Sequence, residues 1–178
     1  NPFPAIMGRI CVKPCEKGCN RNHIDDTVNI HAVERYIGDE ALRQNWQARY
    51  TASPSGKKVL VIGAGPSGLS AAYHLKRMGH EVEVMDANAQ AGGLMWQGVP
   101  EYRLPKDVLN GEIARIEKMG VKISLNKKVT DVLAEKAAGN FDAVYLAIGA
   151  QLIQKEKFET DGSVFTTTAF DFFNERRT

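Results

Sequence analysis

The chain has 178 residues, a formal net charge of +2, and 43% hydrophobic against 25% charged residues, the balance of an ordinary globular protein. That charge is too small to argue for a nucleic-acid partner, and neither an apolar run of bilayer length nor a charged-then-apolar leader occurs. A cytoplasmic setting, one sizeable domain and a small appendage are therefore expected, and the start at Asn1 without methionine leaves room for an upstream segment.

From Asn1 to about Thr27 the sequence is rich in proline, glycine, cysteine and charge, with no sustained period. Its three cysteines, Cys11, Cys15 and Cys19, lie within nine residues and are the only ones in the chain. Such clustering without a secretory leader favours metal or cluster ligation over a disulfide framework. Pro14 argues against one continuous helix through all three. Iron–sulfur clusters and structural zinc both take about four ligands, so the set is incomplete. His23 would complete a zinc site, and three inert buried thiols are the plainer alternative.

From Val28 to about Tyr50 the pattern turns helical. Ile30, Val33 and Ile37 form one apolar stripe, Gly38 interrupts it, and Leu42 with Trp46 begins another, so two short helices packed beside the cysteine segment are expected as a small all-α cap. The turn-rich stretch Thr51–Gly56 carries the boundary, dividing the chain into 1–52 and 53–178.

The second part opens with Val59, Leu60, Val61 and Ile62, an apolar run suited to a strand buried on both faces. It runs into Gly63, Gly65 and Gly68, spaced as G-x-G-x-x-G. The first glycine allows a tight turn, the second a close approach of backbone to phosphate, and the third close helix–strand packing. Pro66 suits the first turn of a helix in which Leu69, Ala72 and Leu75 recur up to Gly79. A second strand, Glu81–Met85, then ends on Asp86, an acid about twenty positions past the glycines and placed to bond a ribose hydroxyl. Strand, turn, helix, strand and acid in this order predict a dinucleotide site.

Ala87–Leu94 is a small-residue loop whose Gly92-Gly93 pair is either a ligand crossing or a plain flexible turn. A helix is expected over Pro105–Met119, carried by Val108, Ile113, Ile116 and Met119 and stopped by Gly120. Short strands are expected at Val121–Leu125 and around Val129, a further buried strand at Phe141–Ala150, and a short helix at Thr168–Glu175. The fold class is thus α/β, a Rossmann-like parallel sheet preceded by a small all-α domain. No serine, histidine or carboxylate is arranged as a nucleophile or base, and His74 and His80 read as surface or structural residues.

Three stretches in order, Asn1–Arg21, Gly63–Gly68 and Gly92–Lys106, closely resemble the glutamate synthase small-subunit family. That family includes the N-terminal flavin region of dihydropyrimidine dehydrogenase and the flavin subunits of several NAD(P)H-linked electron-transfer complexes. The resemblance implies FAD at Gly63, Gly65, Pro66, Ser67 and Gly68, with Asp86 on the adenosine ribose. It places Gly92, Gly93, Leu94 and the stretch from Gly98 and Val99 to Arg103 along the flavin and its phosphates. Val129 would meet the adenine through its backbone, and Ala147, Ile148 and Gly149 would close the site.

The resemblance also implies two 4Fe–4S clusters, with Cys11, Cys15 and Glu34 serving one, Cys19 serving the other, and the remaining ligands coming from an upstream cysteine-rich stretch. Met7 stands where many members carry a further cysteine, and the Cys11–Cys15 spacing is shorter than in the best-known members. Members continue past the Asp161–Phe173 region into an NAD(P)H-binding domain, so the chain is expected to be an N-terminal portion, or a naturally split or degenerate member, that does not itself react with NAD(P)H. The implied function is oxidoreductase electron transfer from NAD(P)H through FAD to the clusters and on to an acceptor subunit. The glutamate synthase large subunit is the best-known acceptor, and neither nucleic acid nor membrane is involved. The alternative is a non-catalytic module that binds a nucleotide and docks a partner.

Overall fold

The computed structural model of the chain describes residues 1–50 and 52–150; the helix expected at Thr168–Glu175 lies outside the described residues. Twelve elements follow in order. They are α1 (Pro4–Ile10), α2 (Pro14–Lys17), a 3-10 turn (Asn20–His23), α3 (Ile30–Arg43), β1 (Lys58–Ile62), α4 (Pro66–Arg77), β2 (Glu81–Met85), α5 (Leu94–Gln97), α6 (Lys106–Glu117), β3 (Lys122–Ser124), α7 (Val132–Ala138) and β4 (Ala143–Leu146).

The four strands form one sheet in the order β3-β2-β1-β4, every neighbouring pair parallel. Val59 sits opposite Val82 on one side and Ala143 on the other, which fixes the register of the two central pairings. Parallel strands need crossovers on the sheet faces, so β1 is covered on both faces; Val59 to Ile62 are buried as their apolar run requires. The order reverses between β1 and β4. At such a point the strand ends diverge and leave a crevice, the place where open α/β sheets take ligands.

The N-terminal segment shares this core. Phe3 and Ile6 are packed in one cluster with Leu69, Leu109, Ile113 and Ile116. Ala5 N–H donates to Glu112 Oε1 on α6 at 3.2 Å, and Arg9 grips Asp39 of α3 with two bonds of 2.6 and 3.1 Å.

Several local expectations are corrected. Pro14 does break the cysteine segment into short pieces, but Gly38 does not break α3, which runs unbroken from Ile30 to Arg43. Gly38 is a crossing point instead: a Cβ there would lie 2.2 Å from Ala5 N, and one on Gly8 would lie 2.4 Å from Arg35 Cα. The glycines let α1 and α3 pack backbone to backbone. The stripe Ile30, Val33 and Ile37 is consequently exposed, at 45%, 54% and 47%, while Gly38 and Ala41 are the buried positions of α3. Trp46 lies beyond the helix. Val129 forms no strand; it packs from a loop against Leu60, Ile62, Met85 and Phe141. After it comes α7, which the sequence reading missed although Asp131 caps it, accepting from Leu133 N and Ala134 N at 3.0 Å each. No helix among the described residues is long and apolar enough to cross a membrane.

Candidate functional site

The site is built at the carboxyl ends of β1, β2 and β4. As β1 ends, Gly63 turns with φ +111° and donates its N–H to Met85 O at 2.8 Å. A Cβ on Gly63 would stand 2.2 Å from Ala147 O, so only glycine lets the chain leaving β4 pass this close. Ala147 N–H in turn donates to Ile62 O at 2.8 Å. A Cβ on Gly68 would stand 1.8 Å from Gly63 O, which makes that glycine the contact through which α4 packs on the turn.

Gly65 is different. A Cβ there meets nothing nearer than Gly93 Cα at 3.9 Å, so its missing side chain leaves open space and not a protein contact. That space lies before the N-terminus of α4, a helix of 12 residues whose first-turn N–H groups carry no side-chain cap. Uncapped N–H groups and the positive end of a helix dipole suit an anion such as pyrophosphate. Across the opening, Gly93 adopts φ +52°, and a Cβ on it would lie 2.8 Å from Gly65 Cα. Gly92 N–H ties the same loop to Ala64 O at 2.7 Å. The two glycine stretches, 28 positions apart counting from Gly65 to Gly93, thus face each other.

Asp86, at the end of β2 and 9% exposed, closes the third side. Its Oδ2 accepts from Ala64 N at 2.6 Å, and its Oδ1 accepts from Asn88 N at 2.8 Å and Asn88 Nδ2 at 2.9 Å. Together these segments enclose a cavity of about 490 Å³. Cofactor clefts commonly run from about 300 to 1,000 Å³.

Of the residues expected from sequence, Gly63, Gly65, Pro66, Ser67, Asp86, Gly93, Leu94, Ala147, Ile148 and Gly149 line this cavity. Gly68 and Gly92 stand behind it as packing and loop contacts. Gly98 ends α5 through its N–H to Leu94 O, Val99 packs against the main core, and Arg103 is exposed. Together with Val129, these three are not among the lining residues. Asn88, Gln97, Leu146 and Ala150 do line it and were missed. They carry no motif; only their positions just beyond β2, in α5 and beside the expected Ala147–Gly149 crossing pointed to them.

The cysteines are not brought together. Cys11 ends α1, Cys15 lies exposed in α2, and Cys19 precedes the 3-10 turn. All are free thiols, and Glu34 is bonded to the Asn1 side chain. Among the described residues no three Cys, His, Asp or Glu side chains are grouped to hold a metal ion, which also leaves His23 without a zinc partner set. Two of the sulfurs nevertheless have close polar neighbours. Backbone groups of Val28 and Arg21, then the Thr27 side chain, hold the Cys19 thiol below its usual range, and Lys13 N–H donates to Cys11 Sγ at 3.3 Å. Glu16 braces the same region from a buried position, accepting from His31 N at 3.0 Å, a bond that keeps its carboxyl low.

Two stretches of the chain match known protein families. Residues 61–107 match the NAD(P)-binding Rossmann-like domain family, and residues 1–46 match the family described as dihydropyrimidine dehydrogenase domain II, 4Fe-4S cluster. The NADP(+)-dependent formate dehydrogenase subunit beta of Moorella thermoacetica is 38% identical over 81% of this chain and 24% of its own length. The glutamate synthase (NADPH) small chain of Bacillus subtilis is 37% identical over 85% of this chain and 31% of its own. The NAD-dependent dihydropyrimidine dehydrogenase subunit PreT of Escherichia coli is 36% identical over 84% and 37% respectively. The chain therefore spans between 24% and 37% of the length of these relatives.

Proposed function

We propose, taking as premise that the chain fits the glutamate synthase small-chain family, that it supplies the FAD-binding and cysteine-bearing part of an NAD(P)H-dependent oxidoreductase. The observation that carries the FAD assignment is Gly65. It is the one glycine of the three in its motif whose missing Cβ opens onto the cavity instead of onto protein, as a cofactor phosphate requires. Gly93 and the Ala147–Gly149 crossing give that phosphate site two more backbone walls, which suits a long dinucleotide stretched across the sheet end.

FAD held there would supply the redox chemistry of an NAD(P)H-dependent electron-transfer enzyme. The chain's own residues bind and orient. The N-terminus of α4 would face the pyrophosphate and Asp86 the adenosine ribose, while Leu94 and Ile148, exposed in the ligand-free chain, would offer apolar surface to the cofactor. In residues 1–52, Cys11, Cys15, Cys19 and Glu34 are the donors for cluster iron. As they stand they do not enclose a cluster.

Equilibrium dialysis of the chain against FAD and, separately, NADPH tests the assignment. FAD retention with little NADPH retention supports it, and preference for NADPH overturns it. Anaerobic incubation with iron and sulfide followed by metal analysis tests the cysteine segment, where stoichiometric zinc without iron would contradict the cluster reading.

A further inference from the structure

The Asp86 carboxylate is pinned before any ligand arrives. Ala64 N–H occupies Oδ2 at 2.6 Å, while the backbone N–H and the side-chain amide of Asn88 both occupy Oδ1, at 2.8 and 2.9 Å. A carboxylate offers about four lone-pair positions, so about one remains open on a residue that lines the cavity. The Asn88 backbone is itself fixed from the far side. Asn126 N–H donates to Asn88 O at 3.0 Å and Lys127 N–H to Asp86 O at 2.8 Å, both from the segment after β3. Asn88 Oδ1 also lies 3.5 Å from Gln97 Nε2 of α5, the element that Gly93 opens. Asn88 is exposed, so core packing does not account for it.

We propose that Asn88 is a positioning residue for the adenosine end of the bound dinucleotide, orienting the Asp86 carboxylate so that its open acceptor position meets a ribose hydroxyl. The side-chain amide fixes the carboxylate plane, and with it the direction of that position. This role rests on the FAD reading of the site and adds to it a residue outside the glycine and acid pattern.

The test is titration of the chain with FAD and with an FAD analogue lacking the adenosine ribose hydroxyls, read by quenching of flavin fluorescence, with thermal melting of the ligand-free proteins alongside. Wild type is expected to favour FAD. Asn88→Ala is expected to lose about tenfold in FAD affinity, the value of one well-placed hydrogen bond to a charged group, while its affinity for the analogue stays unchanged and its ligand-free melting temperature falls only slightly. Asn88→Leu keeps most of the side-chain volume and the backbone donor but loses the amide donor without adding a charge beside Asp86, and is expected to show the same selective loss. Equal losses for both ligands, or FAD affinity unchanged in both variants, would overturn the role of Asn88. A wild-type chain that binds neither ligand would overturn the FAD reading itself.

Discussion

A Cβ placed on Gly93 would stand 2.8 Å from Gly65 Cα, so two glycines from separate loops press backbone to backbone at the mouth of the cavity. One side of that contact is full and the other is empty, since a Cβ on Gly65 has no neighbour nearer than 3.9 Å. Substitutions in the motif should therefore separate folding from binding. Gly68→Ala drives its Cβ into Gly63 O, at 1.8 Å, and is expected to lower stability by about 1–3 kcal/mol, as overpacking commonly does. Gly65→Val is expected to keep the wild-type melting temperature and lose flavin binding. Thermal melting and flavin titration of the two variants check the contrast, and similar melting losses in both would refute it.

Glu112 makes stability depend on pH. It is fully buried on α6, and burial pushes its carboxyl up to about 7, against the pull of Arg115 at 3.4 Å, the Ala5 N–H and Arg9. The folded chain therefore holds this proton more tightly than the unfolded chain, whose value is near 4.5. Stability from this group is fully present below about pH 4.5 and is lost as pH rises through about 7, by roughly 3 kcal/mol. Denaturant unfolding at pH 5 and pH 8 should show a smaller fall for Glu112→Gln than for wild type. Identical falls would mean that the carboxylate is solvated or fully paired when charged.

The crossing of α1 and α3 depends on absent side chains. Gly38→Ala places a Cβ 2.2 Å from Ala5 N, and the same displacement strains the Ala5 bond to Glu112. A loss of about 2–3 kcal/mol is expected, with increased amide exchange over α1. Exchange confined to the far end of α3 would place the defect elsewhere.

The sequence showed β1, the glycine turn, α4, β2 and Asp86 because each carries its own local signal, an apolar run, a glycine spacing or a periodic face. The cavity walls at Gly93 and Ala147–Gly149 were legible through glycines whose partners the pattern left open. Gly38 was misread as a breaker because its reason is Ala5, which lies 33 positions away in sequence. Asn88 and Glu112 gave no sequence signal at all. One acts through a carboxylate two residues back and the other through a backbone N–H on a distant helix, and neither relation has a period or a motif.

The central claim, that the opening at Gly65 takes the phosphates of FAD, is tested most directly by flavin titration of the 178-residue chain and its Gly65→Val variant. Saturable binding of one FAD per wild-type chain, with at least about a hundredfold loss in the variant, is the expected result, since a buried phosphate blocked by a side chain forfeits several charge-assisted hydrogen bonds. Equal FAD affinity in the two proteins, or no uptake by wild type, would contradict it.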